Sequence, residues 1–179
     1  MTAKFKPMTF EMETDRLSLS LWKESDASWY RELVAERGKG MPTIVTAREN
    51  VTTLRNRAYE SGIALLTIRR RDEADYIGYC GLITGRSTLE EPEIAYELFQ
   101  KVHGNGYATE AATVVLDAAV ATGRHKLWST VRAWNAASFR VLEKLGFERH
   151  HSTWDESGEI VWSLRELQNN SKDVQEYGG

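Results

Sequence analysis

Glu93-Ile-Ala-Tyr-Glu-Leu-Phe-Gln-Lys-Val-His-Gly-Asn-Gly-Tyr-Ala-Thr-Glu-Ala111 decides the reading of this chain. A strand-like run enters a turn holding Gly104 and Gly106, and a helix starts at once. The first amides of such a helix have no partner within it, and the helix dipole adds partial positive charge. Together they form an anion site suited to a pyrophosphate. Glycine lets the backbone approach a phosphate closely and take positive φ. Lys101 and His103 stand ready to add charge or hydrogen bonds. The plain alternative is a tight strand-to-helix turn with no ligand.

Upstream of the turn, three strand-like runs, Ile63–Arg70, Tyr76–Ile83 and Glu93–Phe99, are separated only by polar turns. No helix fits between them, so an antiparallel meander is expected. Arg16–Trp22 alternates as a half-buried strand. Lys23–Arg37 reads as a helix with Ser25 as N-cap. Thr46-Ala-Arg-Glu49 reads as a capping box opening a helix to about Tyr59.

Downstream, Tyr107–Thr122 is a nearly uniformly apolar helix and Lys126–Arg132 a strand. Asn135 caps a helix over Ala136–Leu145 with Gly146 as its stop. Phe147–Trp154 and Ile160–Leu164 form a closing hairpin. The order β-α-α-β-β-β-α-β-α-β-β gives a mixed α/β (α+β) sheet of seven strands with helices on both faces. Residues 1–167 read as one domain and 168–179 as a flexible polar tail.

Composition narrows the function classes. The 179 residues carry a formal net charge of −3 and no basic cluster, which argues against nucleic acid. No apolar run reaches membrane-spanning length, and Met1–Glu13 lacks the apolar core of a signal peptide. A cytoplasmic setting is expected. Cys80, the single cysteine, sits among strand residues and reads as a small buried hydrophobe.

Two further features carry chemistry. Ser138 offers a hydroxyl beside a helix N-terminus, where a thiolate leaving group would be stabilised and reprotonated; ordinary capping by Asn135 is the plain reading. Glu93 and Glu97 share a strand face with Ala95. A half-buried carboxylate there would deprotonate an amine; a solvated edge is its plain reading. No metal-ligating constellation stands out.

These pieces resemble a known family. Glu93–Ala111 is similar to the cofactor motif of GNAT N-acetyltransferases, most of all the RimJ/RimL-like branch that acetylates ribosomal-protein N-termini. Val131-Arg-Ala-Trp-Asn135-Ala-Ala-Ser138-Phe-Arg-Val-Leu-Glu-Lys-Leu-Gly-Phe147 resembles that branch's second motif, and Glu13-Thr-Asp-Arg-Leu-Ser-Leu19 its first strand. The resemblance implies a mostly antiparallel sheet splayed between its fourth and fifth strands, with acetyl-CoA in the gap. It implies pantetheine on backbone groups of Leu98 and Phe99, with an amide there polarising the acetyl carbonyl. It places pyrophosphate on amides of His103, Gly104, Asn105, Gly106, Tyr107 and Ala108, and Asn135 against the pantetheine arm. Ser138 matches the position that protonates the thiolate, and Glu93 is the candidate base where water does not serve. Lys101 stands where Arg or Gln is common. The implied activity is direct acetyl transfer to a small-molecule or peptide amine, by a monomer or homodimer; a non-catalytic acetyl-CoA sensor is the alternative. A dinucleotide-binding oxidoreductase fits poorly, because Thr109 occupies the third glycine position and no βαβ crossover precedes the turn.

Overall fold

The computed structural model describes residues 4–167; the expected tail at 168–179 lies outside them. Twelve elements follow in order: β1 Met12–Glu13, β2 Leu17–Ser20, α1 Ala27–Ala35, α2 Ile44–Ser61, β3 Leu65–Arg70, β4 Tyr76–Ile83, β5 Glu93–Leu98, α3 Tyr107–Ala121, β6 Lys126–Arg132, α4 Ala136–Lys144, β7 Glu148–Asp155 and β8 Gly158–Glu166. The sheet has eight strands, ordered β1-β2-β3-β4-β5-β6-β8-β7, rather than the expected seven. The extra strand is β1, two residues that pair antiparallel with β2 through Met12↔Leu19 and Glu13↔Ser18. So short a strand has no periodicity of its own and exists only through its partner.

All neighbouring strands run antiparallel except β5 and β6, which are parallel and register only at Glu93↔Trp128. The closed end of this pair is held by Trp128 N–H donating to Pro92 O at 2.9 Å. Beyond it the strands part and leave a wedge. The expected splay between fourth and fifth strands therefore falls at β5 and β6, renumbered by β1.

Alternation fixes what each face carries. Ser20, Thr67, Tyr79 and Glu97 lie in one cross-strand row. Trp22, two residues on from Ser20, packs with Ala27, Ala47 and Val51 beneath α1 and α2. The opposite face carries Leu19, Leu66, Ile68, Cys80, Leu82, Ile94 and Leu98, buried with Ala111, Ala112, Val115 and Ala119 of α3. The small residues of α3 let it approach the sheet closely, and their burial removes apolar surface from water.

Two helix starts differ from expectation. Chain 24–26 forms a 3-10 turn before α1, and Asp26 rather than Ser25 closes it, accepting from Lys23 N–H at 2.7 Å. The N-cap of α2 is Thr43, whose Oγ1 accepts from Thr46 N–H at 3.1 Å. Thr43 is the one whose backbone is extended, with φ −64° and ψ 157°, so it caps and Thr46 sits inside the helix.

Candidate active site

The wedge opens into a cavity of about 480 Å³. Its walls are Tyr96 and Leu98 of β5, the turn and first residues of α3 (His103, Gly104, Gly106, Tyr107, Ala108) and the first turns of α4 (Asn135, Ser138, Arg140, Lys144). Residues 96–109, a strand, turn and helix start in sequence, thus meet residues 135–144 on one hollow.

The turn is shaped as expected. Gly104 and Gly106 have φ of +79° and +78°, a conformation glycine adopts without the steric cost a side chain would bring. Gly106 is the N-cap of α3, and the first helical bond runs from Glu110 N–H to Gly106 O at 3.0 Å. The amides of Tyr107, Ala108 and Thr109 precede that bond and have no partner inside the helix. Asn105 holds the turn from behind: its Nδ2 donates to Val102 O at 2.9 Å and to His103 O at 3.3 Å. Asn105 and Lys101 do not line the cavity. Lys101 Nζ instead sits 5.2 Å from the Phe99 ring centre.

On β5 the register decides which backbone groups are free. Phe99 N–H donates to Ile77 O at 2.9 Å, so Phe99 is bonded to β4. Hydrogen-bonded and non-bonded pairs alternate along an antiparallel ladder. Gly78↔Leu98 and Cys80↔Tyr96 are therefore the non-bonded pairs, and Tyr96 and Leu98 turn their backbone groups toward the wedge. Of the expected pair Leu98 and Phe99, the Phe99 N–H is thus taken by β4, while Leu98 and its neighbour Tyr96 face the wedge. Of those groups, Leu98 O already accepts from His103 Nε2 at 2.9 Å, which fixes the hydrogen on that ring nitrogen and uses the imidazole inside the turn.

Across the wedge, Asn135 Oδ1 accepts from Ser138 N–H at 3.2 Å and caps α4. Ser138 Oγ lies 2.9 Å from the Tyr96 hydroxyl. Burial pushes that phenol up to about 12, against the opposing effect of the Ser138 hydrogen bond. Arg140 and Lys144, one helical turn apart, add positive charge to the same wall. Neither was anticipated from the sequence, although an i, i+4 basic pair beside the Asn135 cap was legible.

Glu93 does not line the cavity. It is 3% exposed at the closed end of the wedge, on the face opposite Tyr96. Its carboxylate accepts from Arg86 N–H and from Thr130 Oγ1, the latter at 2.7 Å. Glu97, on the same face as Glu93, is held by Arg37 and by the Tyr79 hydroxyl at 2.7 Å. Burial pushes the Tyr79 phenol well up, and the Glu97 charge and hydrogen bond add to that.

The start of α3 is anchored by a contact between two sequence motifs. Glu110 accepts from Thr14 Oγ1 at 2.6 Å and from Arg16 Nε at 2.7 Å. Burial raises its carboxyl, but these hydrogen bonds outweigh it and the net shift is downward. The Arg16 guanidinium also lies 4.3 Å from the Tyr107 ring centre.

Several acids of the N-terminal helices and the final hairpin are engaged internally. Asp26 caps its own turn, Glu36 accepts from Gln100 N–H at 3.0 Å, Asp155 pairs with Arg132 at 2.7 Å, and Glu159 accepts from Ser152 Oγ at 2.6 Å. Cys80 is fully buried, and desolvation pushes its thiol far above the usual range. Among the described residues no group of three or more His, Cys, Asp or Glu is placed to hold a metal ion. No helix there is long and apolar enough to cross a membrane.

A mixed sheet parted at its one parallel junction, with a glycine turn and a helix N-terminus at the mouth of the gap, is the architecture of an acyl-transfer fold. The acetyltransferase (GNAT) domain model matches residues 16–148, more than half of the chain, and the chain belongs to the GNAT acetyltransferase family. It is 31% identical over 93 residues to the uncharacterized protein YkkB of Bacillus subtilis, spanning about half the length (53%) of that curated relative and 51% of its own. An acetyltransferase from Agrobacterium tumefaciens superposes with a TM-score of 0.73 at 25% identity, covering 87% of this chain and 93% of that one. The yncA protein of Salmonella typhimurium, solved with its cofactor acetyl-CoA, gives 0.70 at 16% identity over 87% and 96%. RimJ of Mycobacterium smegmatis, in complex with CoA-disulfide, gives 0.73 at 19% identity over 87% and 84%.

Proposed function

We propose that this protein is an acetyl-CoA-dependent N-acetyltransferase that moves the acetyl group directly to a primary amine. The observation that carries the reading is the junction of an unpaired β5 edge with the α3 N-terminus inside one cavity. The pantetheine arm, an amide chain, would pair with the backbone groups of Tyr96 and the N–H of Leu98 as an added strand. Its pyrophosphate would meet the amides of the turn and of Tyr107 and Ala108. Arg140 and Lys144 would face the phosphates as point charges.

The acceptor nitrogen attacks the acetyl carbon, an amide on β5 polarises the carbonyl, and the C–S bond breaks with its electron pair on sulfur. Ser138 Oγ–H faces the sulfur and supplies its proton. The acceptor nitrogen gives up one proton to water, which balances the one that sulfur gains. Glu93 serves as a structural carboxylate, and water takes the acceptor's proton. An α-amine, with a pKa near 8, suits water-assisted loss better than a lysine amine near 10.4. We therefore assign a peptide N-terminus as the preferred acceptor, within a RimJ-like branch. The assignment draws on the likeness to RimJ and on the absence of a carboxylate from the cavity wall among the described residues other than the Arg37-bound Glu97.

The test is calorimetry with acetyl-CoA followed by thiol release with peptides bearing a free or a blocked N-terminus. Binding with release that requires the free α-amine is expected. Absence of heat with acetyl-CoA refutes the reading. Heat without release from any amine converts it to an acetyl-CoA sensor.

A further inference from the structure

Tyr96 crosses the wedge in a way that the proposed chemistry leaves unexplained. Its side chain leaves β5 on the face of Ile94 and Leu98 and reaches the first turn of α4. There its hydroxyl lies 3.0 Å from Ser138 O and 2.9 Å from Ser138 Oγ. The phenol has one hydrogen and two acceptors in reach. If it donates to the Ser138 carbonyl, the serine hydrogen points back to the phenol oxygen and is used inside the protein. If it donates to Oγ, the serine hydrogen is released toward the cavity and is polarised into a stronger donor. Because the Ser138 amide is fixed on Asn135 Oδ1 at 3.2 Å, only the hydroxyl hydrogens need to turn.

We infer that Tyr96 is a positioning residue: its hydroxyl grips Ser138 Oγ so that the serine hydrogen is aimed at the thioester sulfur as the C–S bond breaks. The inference rests on the acetyl-CoA reading of the cavity. Negative charge growing on sulfur selects the second hydrogen-bond arrangement over the first. Sulfur draws its proton through the Ser138 hydroxyl, which water refills, while the acceptor nitrogen loses one proton to water. Tyr96 keeps its own hydrogen throughout, in line with a burial that pushes the phenol up to about 12.

Tyr96→Phe keeps the ring that fills the wedge and removes only the hydroxyl. The experiment measures acetyl-CoA affinity by calorimetry, kcat and KM by thiol release, and the thiol titration of bound free coenzyme A by thiolate absorbance. Expected for Tyr96→Phe is acetyl-CoA affinity within about twofold and a kcat lower by roughly tenfold, the scale of one hydrogen bond to a charged group. In the native protein the bound thiol titrates below its ordinary value of about 8.5. It moves up by about one unit in Tyr96→Phe and in Ser138→Ala, as that same tenfold implies. The double variant is no worse than Ser138→Ala, since both residues act through one hydrogen. Native kcat and thiol titration in Tyr96→Phe, or losses that add in the double variant, overturn the inference and leave the cavity assignment standing. No heat with acetyl-CoA from the native protein overturns both.

Discussion

Replacing Glu93 by Gln separates two roles that a strand carboxylate beside a cofactor gap can have. The native side chain is 3% exposed and accepts from Arg86 N–H and Thr130 Oγ1. The amide keeps the shape but loses the charge on both bonds, and its NH2 cannot accept from the Arg86 amide. Thr130 can turn its hydroxyl to accommodate the swap, so the net loss is that of one charged hydrogen bond, about 1.5–3 kcal/mol. At roughly 2–4 °C per kcal/mol for a domain of this size, the melting temperature should fall by about 3–12 °C. Removing a true general base costs roughly 10²–10⁴ in rate, whereas a residue walled off from the cavity should leave kcat within about threefold. The assay pairs thermal unfolding with a pH profile of thiol release for Glu93→Gln and the native protein. An unchanged melting temperature, a collapse of kcat and loss of the acidic limb of the profile would refute the structural role and restore Glu93 as the base.

The other consequences are more compact. Arg140→Ala and Lys144→Ala should each weaken acetyl-CoA binding by roughly 3–10-fold at low salt and by less at high salt, as exposed charge pairing requires; calorimetry at two ionic strengths checks this, and unchanged affinity removes them from the phosphate site. Cys80 should resist alkylation in the folded protein and carry no acetyl group after incubation with acetyl-CoA alone, read by mass spectrometry; an acetylated Cys80 would refute direct transfer. The Arg132 guanidinium and the Ser157 amide hold the Asp155 carboxyl at about 2, down from 3.8, at the tip of the β7–β8 hairpin. A lowered folded-state value means the staple is fully present above 3.8 and is lost as pH falls through about 2. A carboxyl NMR titration should show this and should move back toward 3.8 in Arg132→Gln; native titration already at the ordinary value would refute it.

What was legible in the sequence was local. The glycine turn, the Asn135 cap and the helix that it opens each depend on residues within a few positions, and each stands where it was expected. What was not legible depends on partners brought in from afar. Whether Phe99 faces β4 or the wedge is settled by Ile77 across the ladder, and periodicity alone does not fix that side. Glu93 is buried with one of its two partners brought from afar: Thr130, 37 positions on, donates its hydroxyl to it. Several acids of the N-terminal helices and the hairpin likewise have partners that the sequence does not show: Arg132 for Asp155, Ser152 for Glu159, and backbone amides for Asp26 and Glu36. A charge count along the chain does not reveal which acids already have partners.

The alternation of β5 explains why these long-range facts matter more than any single motif. Odd-numbered residues give their backbone to β4 and their side chains to the α1–α2 face, where Glu93 and Glu97 are tied down. Even-numbered residues give their backbone to the wedge and their side chains to α3 and α4, where Tyr96 meets Ser138. A slip of one residue would exchange the two sets, committing Tyr96 and Leu98 to β4 and turning the phenol away from α4. Gly78 guards against that slip: a Cβ there would lie 2.1 Å from Glu97 O and 2.8 Å from Leu98 Cα, so β4 and β5 fit closely only with a glycine at that register. On the proposed reading, the capacity of the cavity to bind a donor and to place a proton is thus set by a strand pairing that lies outside the cavity itself.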